Sequence, residues 1–316
     1  MDIKQVAVIG DLHGTYSALE AILEALRQQE FIKVKNGTWS IADHTQLVFL
    51  GDYIDRGNEG RKVIETIQNV QTQNQQQVIA LLGNHEVMTI YDYCFLNHFA
   101  HEKSRELHLD SFQKIPNFVY DFIIKKYHSS NNNINNEHLF IEEFGHTPKQ
   151  QVLGFLEYMH PNGPIGHWLR TLPLFYKRTI GTTSILCTHA DIDDIVAQDF
   201  YAHITRLRQA VEHVDDEHMR EEAYDTLLND TSILYSHCFG RYNNTQAKKL
   251  CRTLGVDYIF NGHTPKYGTI RTLGNCIHTL DVGMCTGAAP TVLLVRNNKI
   301  ELLRQDAWKT HPITLH

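Results

Sequence analysis

Five short apolar segments of the chain are each followed at once by a side chain that binds metal ions well. VAVIG (6–10) leads into Asp11, LVFLG (47–51) into Asp52, VIALLG (78–83) into Asn84, SILCT (184–188) into His189, and YIFNG (258–262) into His263. Apolar runs of this length, bounded by glycine, predict buried β-strands. Ligands of open α/β sheets bind at the carboxyl ends of the strands, so we expect these side chains to share one site.

Between the first strands, the apolar spacing changes to that of helices. Residues 15–29 and residues 59–70 each place four apolar side chains on one face of a helix. The segment 31–41 predicts a β-hairpin that turns at Asn36-Gly37. The chain therefore alternates strands and helices, which is typical of an α/β protein.

The middle of the chain has a different pattern. Residues 86–175 contain no clear strand and predict a mainly helical segment, interrupted by a polar loop at 129–136. Because no linker composition brackets this segment, we interpret it as an insertion beside the sheet within one catalytic domain that spans residues 1–316. Farther on, 269–281 and 291–303 predict two β-hairpins.

Composition and charge narrow the classes of partner. The 316 residues are 42% hydrophobic and 21% charged, with a net charge of -7 and no basic block longer than two residues. A protein that binds nucleic acid usually shows a basic face, so we expect no nucleic-acid partner. We also expect no membrane association, because no apolar run reaches the length of a membrane span. The composition leaves the oligomeric state open.

Two features predict a cytoplasmic protein. The first residues, MDIKQVAVIGD, lack the charged region and cleavage site of a signal peptide, although delivery into a host cell without a cleaved signal stays open. The six cysteines are scattered and form no C-x-x-C pair, which favours reduced thiols over a disulfide framework.

The strand ends together supply oxygen and imidazole donors and no thiolate: Asp11, His13, Asp52, Asn84, His189 and His263. This donor set suits Mn²⁺, with iron or zinc as alternatives. Six ligands are too many for one structural zinc, which takes four, and fit two ions that share a bridging carboxylate. A two-metal site activates a water and stabilises an in-line displacement at phosphorus.

The segment LVFLGDYIDRGNEG (47–60) carries more charge than a turn requires. With a metal site in place, Asp52 becomes the bridging ligand and Arg56 offers a planar fork for phosphate. Displacement at phosphorus also needs an acid for the leaving alkoxide. His85 follows Asn84 directly, and Asp55 is placed to orient its imidazole.

Simpler interpretations exist for several of these residues. Asp11 and His13 also fit an ordinary turn, and Asp52 or Asp55 can cap a helix that starts near residue 59. His189 and His263 taken singly fit polar strand ends. The recurrence of the same pattern at five strand ends favours the metal site over these readings.

Five ordered motifs carry a resemblance to a known family. GDLHG (10–14), GDYIDRG (51–57), GNHE (83–86), THAD (188–191) and GHTP (262–265) resemble the signature blocks of PPP-class metallophosphatases, within the calcineurin-like superfamily. The pattern is most similar to the phage and bacterial branch, typified by the phosphatase of bacteriophage lambda. The resemblance implies a central β-sandwich flanked by helices, with the helical insertion added to it.

The resemblance also implies roles for individual residues. It implies a dinuclear centre held by the six strand-end residues, with His85 as general acid paired to Asp55, and with Asn84 also contacting substrate. It implies two phosphate-binding arginines, Arg56 and a second between the last two histidine ligands. Arg241 in ILYSHCFGR (233–241) is the best match for the second, and four other arginines share that interval: Arg206, Arg208, Arg220 and Arg252.

The resemblance implies a metal-dependent phosphomonoesterase, and a protein phosphatase is the first hypothesis. The preference for phosphorylated Ser, Thr or Tyr stays open, because it depends on the depth of a pocket set by the 86–175 insertion and by residues 281–290. DVGMCTG (281–287) stands where eukaryotic relatives have an aromatic loop, and HAD (189–191) replaces their His-Gly-Gly, so eukaryotic-type substrate recognition is not expected. The alternative is a dinucleoside polyphosphate hydrolase. Relatives with that activity commonly replace the aspartate of the DRG block, so Asp55 favours the protein phosphatase.

Two further functional classes fit the chain less well. Nucleases and cyclic-nucleotide phosphodiesterases of this superfamily typically carry G-H-x-H at the last motif, and GHTP lacks the second histidine. A binding module that has lost catalysis would usually lack a ligand or the acid, whereas every expected position is filled here.

Overall fold

Thirteen strands in the described part of the chain form two large sheets and one hairpin. The computed structural model describes residues 2–35, 38–109, 111–130, 140–305 and 309–312. In chain order the strands are β1 (Gln5–Ile9), β2 (Ile32–Lys35), β3 (Thr38–Ile41), β4 (Thr45–Phe49), β5 (Val78–Ala80), β6 (Phe175–Ile180), β7 (Thr183–Thr188), β8 (Tyr258–Asn261), β9 (Arg271–Leu273), β10 (Ile277–Thr279), β11 (Thr291–Arg296), β12 (Lys299–Arg304) and β13 (Lys309–Pro312).

The two large sheets divide the five predicted site strands between them. The first sheet has the order β13-β12-β11-β1-β4-β5, and its strands β1, β4 and β5 run parallel. The second has the order β6-β7-β8-β10-β9, with β7 and β8 parallel. Parallel strands end at the same edge of their sheet, so three donor-bearing ends come from one sheet and two from the other.

The sheets pack face to face as a sandwich, as the sequence resemblance implied. Alternate residues of the first sheet, such as Val8 and Val48, share a fully buried apolar cluster with Ile185 and Phe260 of the second. Side chains of successive strand residues point to opposite faces, so the other residues of β1 and β4 face outward and meet the helices. Each sheet therefore has one face in the sandwich interior and one toward helices.

Ten α-helices among the described residues surround the sandwich. They are α1 (Tyr16–Gln28), α2 (Gly60–Gln73), α3 (Asn84–Glu106), α4 (Asn117–Ser130), α5 (Pro148–Met159), α6 (Gly166–Thr171), α7 (Asp194–Gln198), α8 (Phe200–His213), α9 (Arg220–Leu227) and α10 (Asn244–Leu254). The apolar faces predicted for the first two are confirmed, because their leucine, isoleucine and valine side chains at those positions are buried.

The segment predicted as a helical insertion is mainly helical. It comprises α3 to α6 with two short 3-10 helices, Phe112–Lys114 and Phe140–Phe144, and no described residue between 86 and 174 lies in a strand. Buried side chains such as Tyr120 and Phe155 join it to the main apolar cluster. The predicted polar loop 129–136 lies outside the described residues from 131 onward.

The three predicted hairpins are paired as expected. β2 and β3 are antiparallel, as are β9 with β10 and β11 with β12. The turn predicted at Asn36-Gly37 lies outside the described residues. Within the described part of the chain, no helix combines the length and the apolar character that crossing a bilayer requires.

Candidate metal centre

The chain leaves three of the site strands in tight loops that aim polar side chains inward. His13, Asp52 and His263 have φ angles of 42°, 53° and 66°, in the left-handed region that non-glycine residues rarely adopt. The Gly262 backbone lies so close to the Asp11 carboxylate that a Cβ atom there would overlap it. Such strain persists where the surrounding structure over-determines it, and it is concentrated at functional sites.

Asp52 lies at the middle of the donor cluster. Its Oδ2 is 3.5 Å from Nε2 of His13, and its Oδ1 is 3.3 Å from Nε2 of His189. Among the described residues, three buried groups of side chains place their donor atoms within 4.8 Å of one another: His13 with Asp52 and His85, Asp52 with His189 and His263, and Asp11 with His13 and Asp281. His13 and Asp52 each belong to two of these groups, and Asp52 is the carboxylate of the two, which suits a bridging ligand.

Asn84 links the two histidines from the second sheet. Its Oδ1 is 2.8 Å from Nε2 of His189 and 2.8 Å from Nδ1 of His263. Asn84 is the first residue of α3, so β5 and the helix start together fix its position. One oxygen thus faces two imidazole nitrogens, as expected where a cation is shared between them.

Each of the three candidate histidine ligands has its other ring nitrogen against a backbone carbonyl. Nδ1 of His13 lies 3.1 Å from the Ile54 oxygen, and Nδ1 of His189 lies 2.8 Å from the Leu50 oxygen. Nε2 of His263 lies 3.1 Å from the Tyr235 oxygen. A carbonyl only accepts hydrogen bonds, so these nitrogens carry the proton and the opposite nitrogens present lone pairs to the centre.

The charge states fit divalent cations. Burial lowers the pKa of His13 to about 3 and also lowers those of His189 and His263, so these imidazoles are neutral. Burial and the neighbouring carboxylates of Asp281 and Asp52 raise the pKa of Asp11. The buried Oδ1 of Asp11 has no hydrogen-bond partner among the described residues. Neutral imidazoles offer lone pairs to divalent ions, and a pair of such ions neutralises the charge of crowded carboxylates.

His85 and Asp55 form a buried pair beside this centre. Nδ1 of His85 is 2.8 Å from Oδ2 of Asp55, and both side chains are almost inaccessible to solvent. Burial alone would lower the pKa of His85, but the charges of Asp52 and Asp55 raise it to about 9. Both carboxylates thus favour the protonated imidazole, which is the state a general acid needs.

The sequence model of a protein family, the calcineurin-like phosphoesterases, matches residues 4–267. The chain belongs to this family. Members of this family hydrolyse phosphate esters and generally bind two divalent metal ions. The same description fits the fold, because the sandwich with its flanking helices is the one that the sequence resemblance implied.

Two known proteins each match about a quarter of the phosphoesterase sequence. It is 36% identical over 81 residues to the asymmetrical bis(5'-nucleosyl)-tetraphosphatase of Oceanobacillus iheyensis, covering 26% of this chain and 30% of that protein. It is 27% identical over 96 residues to the serine/threonine-protein phosphatase 6 catalytic subunit of Drosophila melanogaster, covering 28% of this chain and 27% of that one. Both alignments therefore span less than a third of these relatives.

A solved structure shows the fold over the whole length. The crystal structure of a cold-active protein-tyrosine phosphatase from a psychrophilic Shewanella species superposes with a TM-score of 0.66 at 19% identity. The match covers 99% of this chain and 81% of that chain. At this identity the likeness concerns the fold alone.

The phosphoesterase brings most of the predicted site residues together. All six strand-end donors, together with His85 and Asp55, are buried within one cluster. Arg56 reaches the same place with its guanidinium, whose Nη1 lies 2.8 Å from Nε2 of His13. Asp55 pairs with His85. At the start of α2, where a capping role was the alternative for Asp55, the N–H groups of Gly60 and Arg61 donate hydrogen bonds to Glu143.

Arg241 has a different position. It ends the 3-10 helix Cys238–Arg241 with an exposed side chain, and no contact among the described residues ties it to the other site residues. The same loop brings His237 to the centre instead. Its ring stacks on His263 at a centroid distance of 4.3 Å, with the two Nε2 atoms 3.1 Å apart. The phosphate-binding role of Arg241 stays a prediction.

Replacing these two residues separately tests which of them acts at the site. We expect His237→Ala to lower kcat/KM about tenfold, because it removes a polar contact beside a ligand histidine, and outer contacts of metal ligands typically contribute 10- to 100-fold. Arg241→Ala should leave kcat/KM within about twofold if its side chain stays in solvent. Steady-state kinetics on a small aryl phosphate measures both; a larger loss in Arg241→Ala than in His237→Ala would support the phosphate-binding role of Arg241.

Two further buried acids of the site carry no local signal in the sequence. Glu86 accepts hydrogen bonds from the backbone N–H groups of Asp52, Tyr53 and Gly83, at 2.8, 2.8 and 3.0 Å. Asp281 joins Asp11 and His13 in the third donor group. Both lie in segments that were quoted, GNHE and DVGMCTG, but nothing in their local spacing marks these carboxylates as buried.

Proposed function

We propose that this phosphoesterase is a phosphomonoesterase that acts on phosphoproteins. The observation that carries the proposal is the buried pair of His85 and Asp55, 2.8 Å apart beside the donor cluster. Release of a serine, threonine or tyrosine side chain from its phosphate ester requires a proton for the leaving oxygen. A protonated imidazole held in one orientation by a carboxylate supplies it.

We propose that two divalent cations are held by the six strand-end residues, with Asp52 between them. The unpaired Oδ1 of Asp11 and the inward lone pairs of the three histidines support this assignment. When bound, such ions activate a water and neutralise charge on the phosphoryl oxygens. Mixed carboxylate, amide and imidazole donors favour Mn²⁺, with iron or zinc as alternatives.

The remaining steps belong to side chains of this chain. Arg56 binds the phosphoryl oxygens through its planar fork, at the exposed side of the cluster. Asn84 orients the substrate from the start of α3. His85 then donates its proton to the leaving oxygen, while Asp55 fixes the tautomer and orientation of the ring.

We also propose that residues 1–316 form a single catalytic domain in the cytoplasm. One apolar cluster runs from α1 through the insertion to α10, which supports one folding unit. All six cysteines are free thiols, and five of them are buried, as expected in a reducing compartment.

A second candidate function is the hydrolysis of dinucleoside polyphosphates. The observation that favours it is the identity of 36% over 81 residues to a bis(5'-nucleosyl)-tetraphosphatase. This reaction also displaces an oxygen at phosphorus, so the metal centre serves either function. The two differ in the leaving group, since a nucleotide needs a proton far less than a serine alkoxide does.

Phosphate release in the presence of Mn²⁺ distinguishes the two candidates. Purified protein is given phosphoserine, phosphothreonine and phosphotyrosine peptides of one sequence, and diadenosine tetraphosphate in parallel. We expect turnover of at least one peptide at a kcat/KM at least about tenfold above that of the dinucleotide. Turnover of the dinucleotide alone would contradict the proposal and establish the second candidate.

A further inference from the structure

We propose that Glu143 is a positioning residue through which the helical insertion holds the loop that carries Asp55 and Arg56. The inference rests on the catalytic and substrate-binding roles proposed for those two residues. Glu143 itself lies on the 3-10 helix Phe140–Phe144 of the insertion, far along the chain from the loop.

Two glutamate carboxylates hold the loop between β4 and α2 at its two ends. At the start, Glu86 accepts from the N–H groups of Asp52 and Tyr53. At the end, Oε1 of Glu143 accepts from the Gly60 N–H and Oε2 from the Arg61 N–H, both at 2.8 Å. Bonds from backbone N–H groups to an ionised carboxylate are among the stronger hydrogen bonds in proteins.

The loop needs such support because its backbone is strained. Asp52, Asp55 and Arg56 have φ angles of 53°, 66° and 63°, and none of the three is glycine. Positive φ values of this kind persist only where surrounding contacts over-determine them. Asp52 lies next to the Glu86 end, whereas Asp55 and Arg56 lie closer to the Glu143 end.

The insertion keeps Glu143 itself in place. Phe144 packs against Phe155 and Tyr158 of the insertion, with ring centroids 5.7 and 5.3 Å away. The Arg61 guanidinium lies 4.2 Å above the Tyr158 ring and donates to its hydroxyl at 2.6 Å. The first turn of α2 is thus held by the insertion through its backbone and through a side chain.

Close packing at Gly60 limits what else can fit there. A Cβ atom at this position would lie 3.1 Å from Oε1 of Glu143 and 3.0 Å from the Ile54 side chain. The carboxylate therefore approaches the backbone on the side that the missing side chain leaves open. A displacement of the Glu143 carboxylate would therefore alter its hydrogen bonds to the backbone that follows Arg56.

The test variant is Glu143→Gln, which keeps the shape of the side chain. It replaces one of the two acceptor oxygens with an NH2 group, which donates hydrogen bonds and cannot accept one from the backbone N–H. Glu142→Gln is the matched control, because Glu142 is the adjacent, exposed glutamate of the same 3-10 helix. Measurements are made at about pH 8.5, where Glu143 is ionised although burial raises its pKa to about 7. The thermal melting temperature shows whether each variant is folded.

Hydrogen–deuterium exchange of the whole protein is the first measurement. We expect Glu143→Gln to raise exchange about tenfold in peptides covering 53–61, with unchanged exchange in peptides from β7 and β8 and unchanged Mn²⁺ stoichiometry. Glu142→Gln should match the wild type throughout. Unchanged exchange in 53–61, or an equal rise everywhere, would overturn the inference.

Hydrolysis of the phosphopeptide that the wild type turns over fastest is the second measurement. We expect Glu143→Gln to lower kcat about tenfold or more, because small displacements of catalytic groups cost large factors in rate. In an Asp55→Asn/Arg56→Ala background the same substitution should have almost no effect, since both groups that it positions are already lost. Full additivity of Glu143→Gln with that background would overturn the inference. If the wild type itself fails to turn over, the proposed function is wrong, and the exchange data alone decide the role of Glu143.

Discussion

His85→Ala is expected to lower kcat about 100- to 10,000-fold on phosphoserine or phosphothreonine peptides, the range that a general acid contributes. The imidazole is buried beside the donor cluster and is held in one orientation by Asp55. Metal content should stay at the wild-type value, because the six strand-end ligands remain. Single-turnover kinetics and elemental analysis of the same sample measure both quantities.

The loss should depend on the leaving group. A para-nitrophenolate needs little proton assistance, so His85→Ala should affect para-nitrophenyl phosphate far less than the alkyl phosphates. His146→Ala, at an exposed histidine of the insertion, is the matched control and should behave as wild type. An equal loss on both substrates would mean that His85 positions substrate and does not donate a proton.

The pH dependence of kcat follows from the same pair. A general acid works in its protonated form, so kcat falls as pH rises through the pKa of His85. The charges of Asp52 and Asp55 raise that pKa to about 9 against the lowering effect of burial. Asp55→Asn removes one of these charges and should therefore move the alkaline limb of the profile to lower pH. A limb that stays in place would separate Asp55 from the acid.

Asp52→Asn is the substitution with the second large effect. We expect it to abolish binding of both metal ions and to lower kcat/KM at least about a thousandfold, because metal-ion catalysis contributes several kcal/mol and each ~1.4 kcal/mol is tenfold. Asp52 is the carboxylate that two of the described donor groups share, and it lies against imidazoles on both sides. An amide has one oxygen and no charge, so it replaces the bridge poorly.

Elemental analysis and calorimetric titration with Mn²⁺ test this prediction. Wild type stripped with a chelator should lose activity and regain it when Mn²⁺ is added, whereas Asp52→Asn should not. His263→Ala should retain one of the two ions, since His263 belongs to one donor group only. Asp43→Asn, at an exposed carboxylate, controls for the loss of one charge. Retention of one ion by Asp52→Asn would mean that Asp52 serves a single metal.

Much of this protein was already determined by local sequence. Strand and helix periods follow from side-chain alternation along the backbone, so the strands before Asp11 and Asp52 and the apolar faces of α1 and α2 were predicted where they occur. Donor residues at strand ends are local as well, because each follows its own apolar run.

The tertiary structure decided how these pieces meet. The sequence did not show how the five site strands are divided between two sheets. Strand pairing such as that of β1 with β11 joins residues nearly 300 positions apart. Nor did it show that His263 presents Nδ1 to the centre while His13 and His189 present Nε2. Carbonyls of other segments decide that choice.

The same reason explains the residues that local patterns missed. The contacts of these residues join segments that are distant in the chain. Glu86 and Glu143 accept hydrogen bonds from the loop between β4 and α2, and His237 stacks on the ring of His263. A single charged residue carries no periodicity that reveals its partner. Sequence determined the elements and the donors, and the packing of the insertion and the two sheets decided which groups support them.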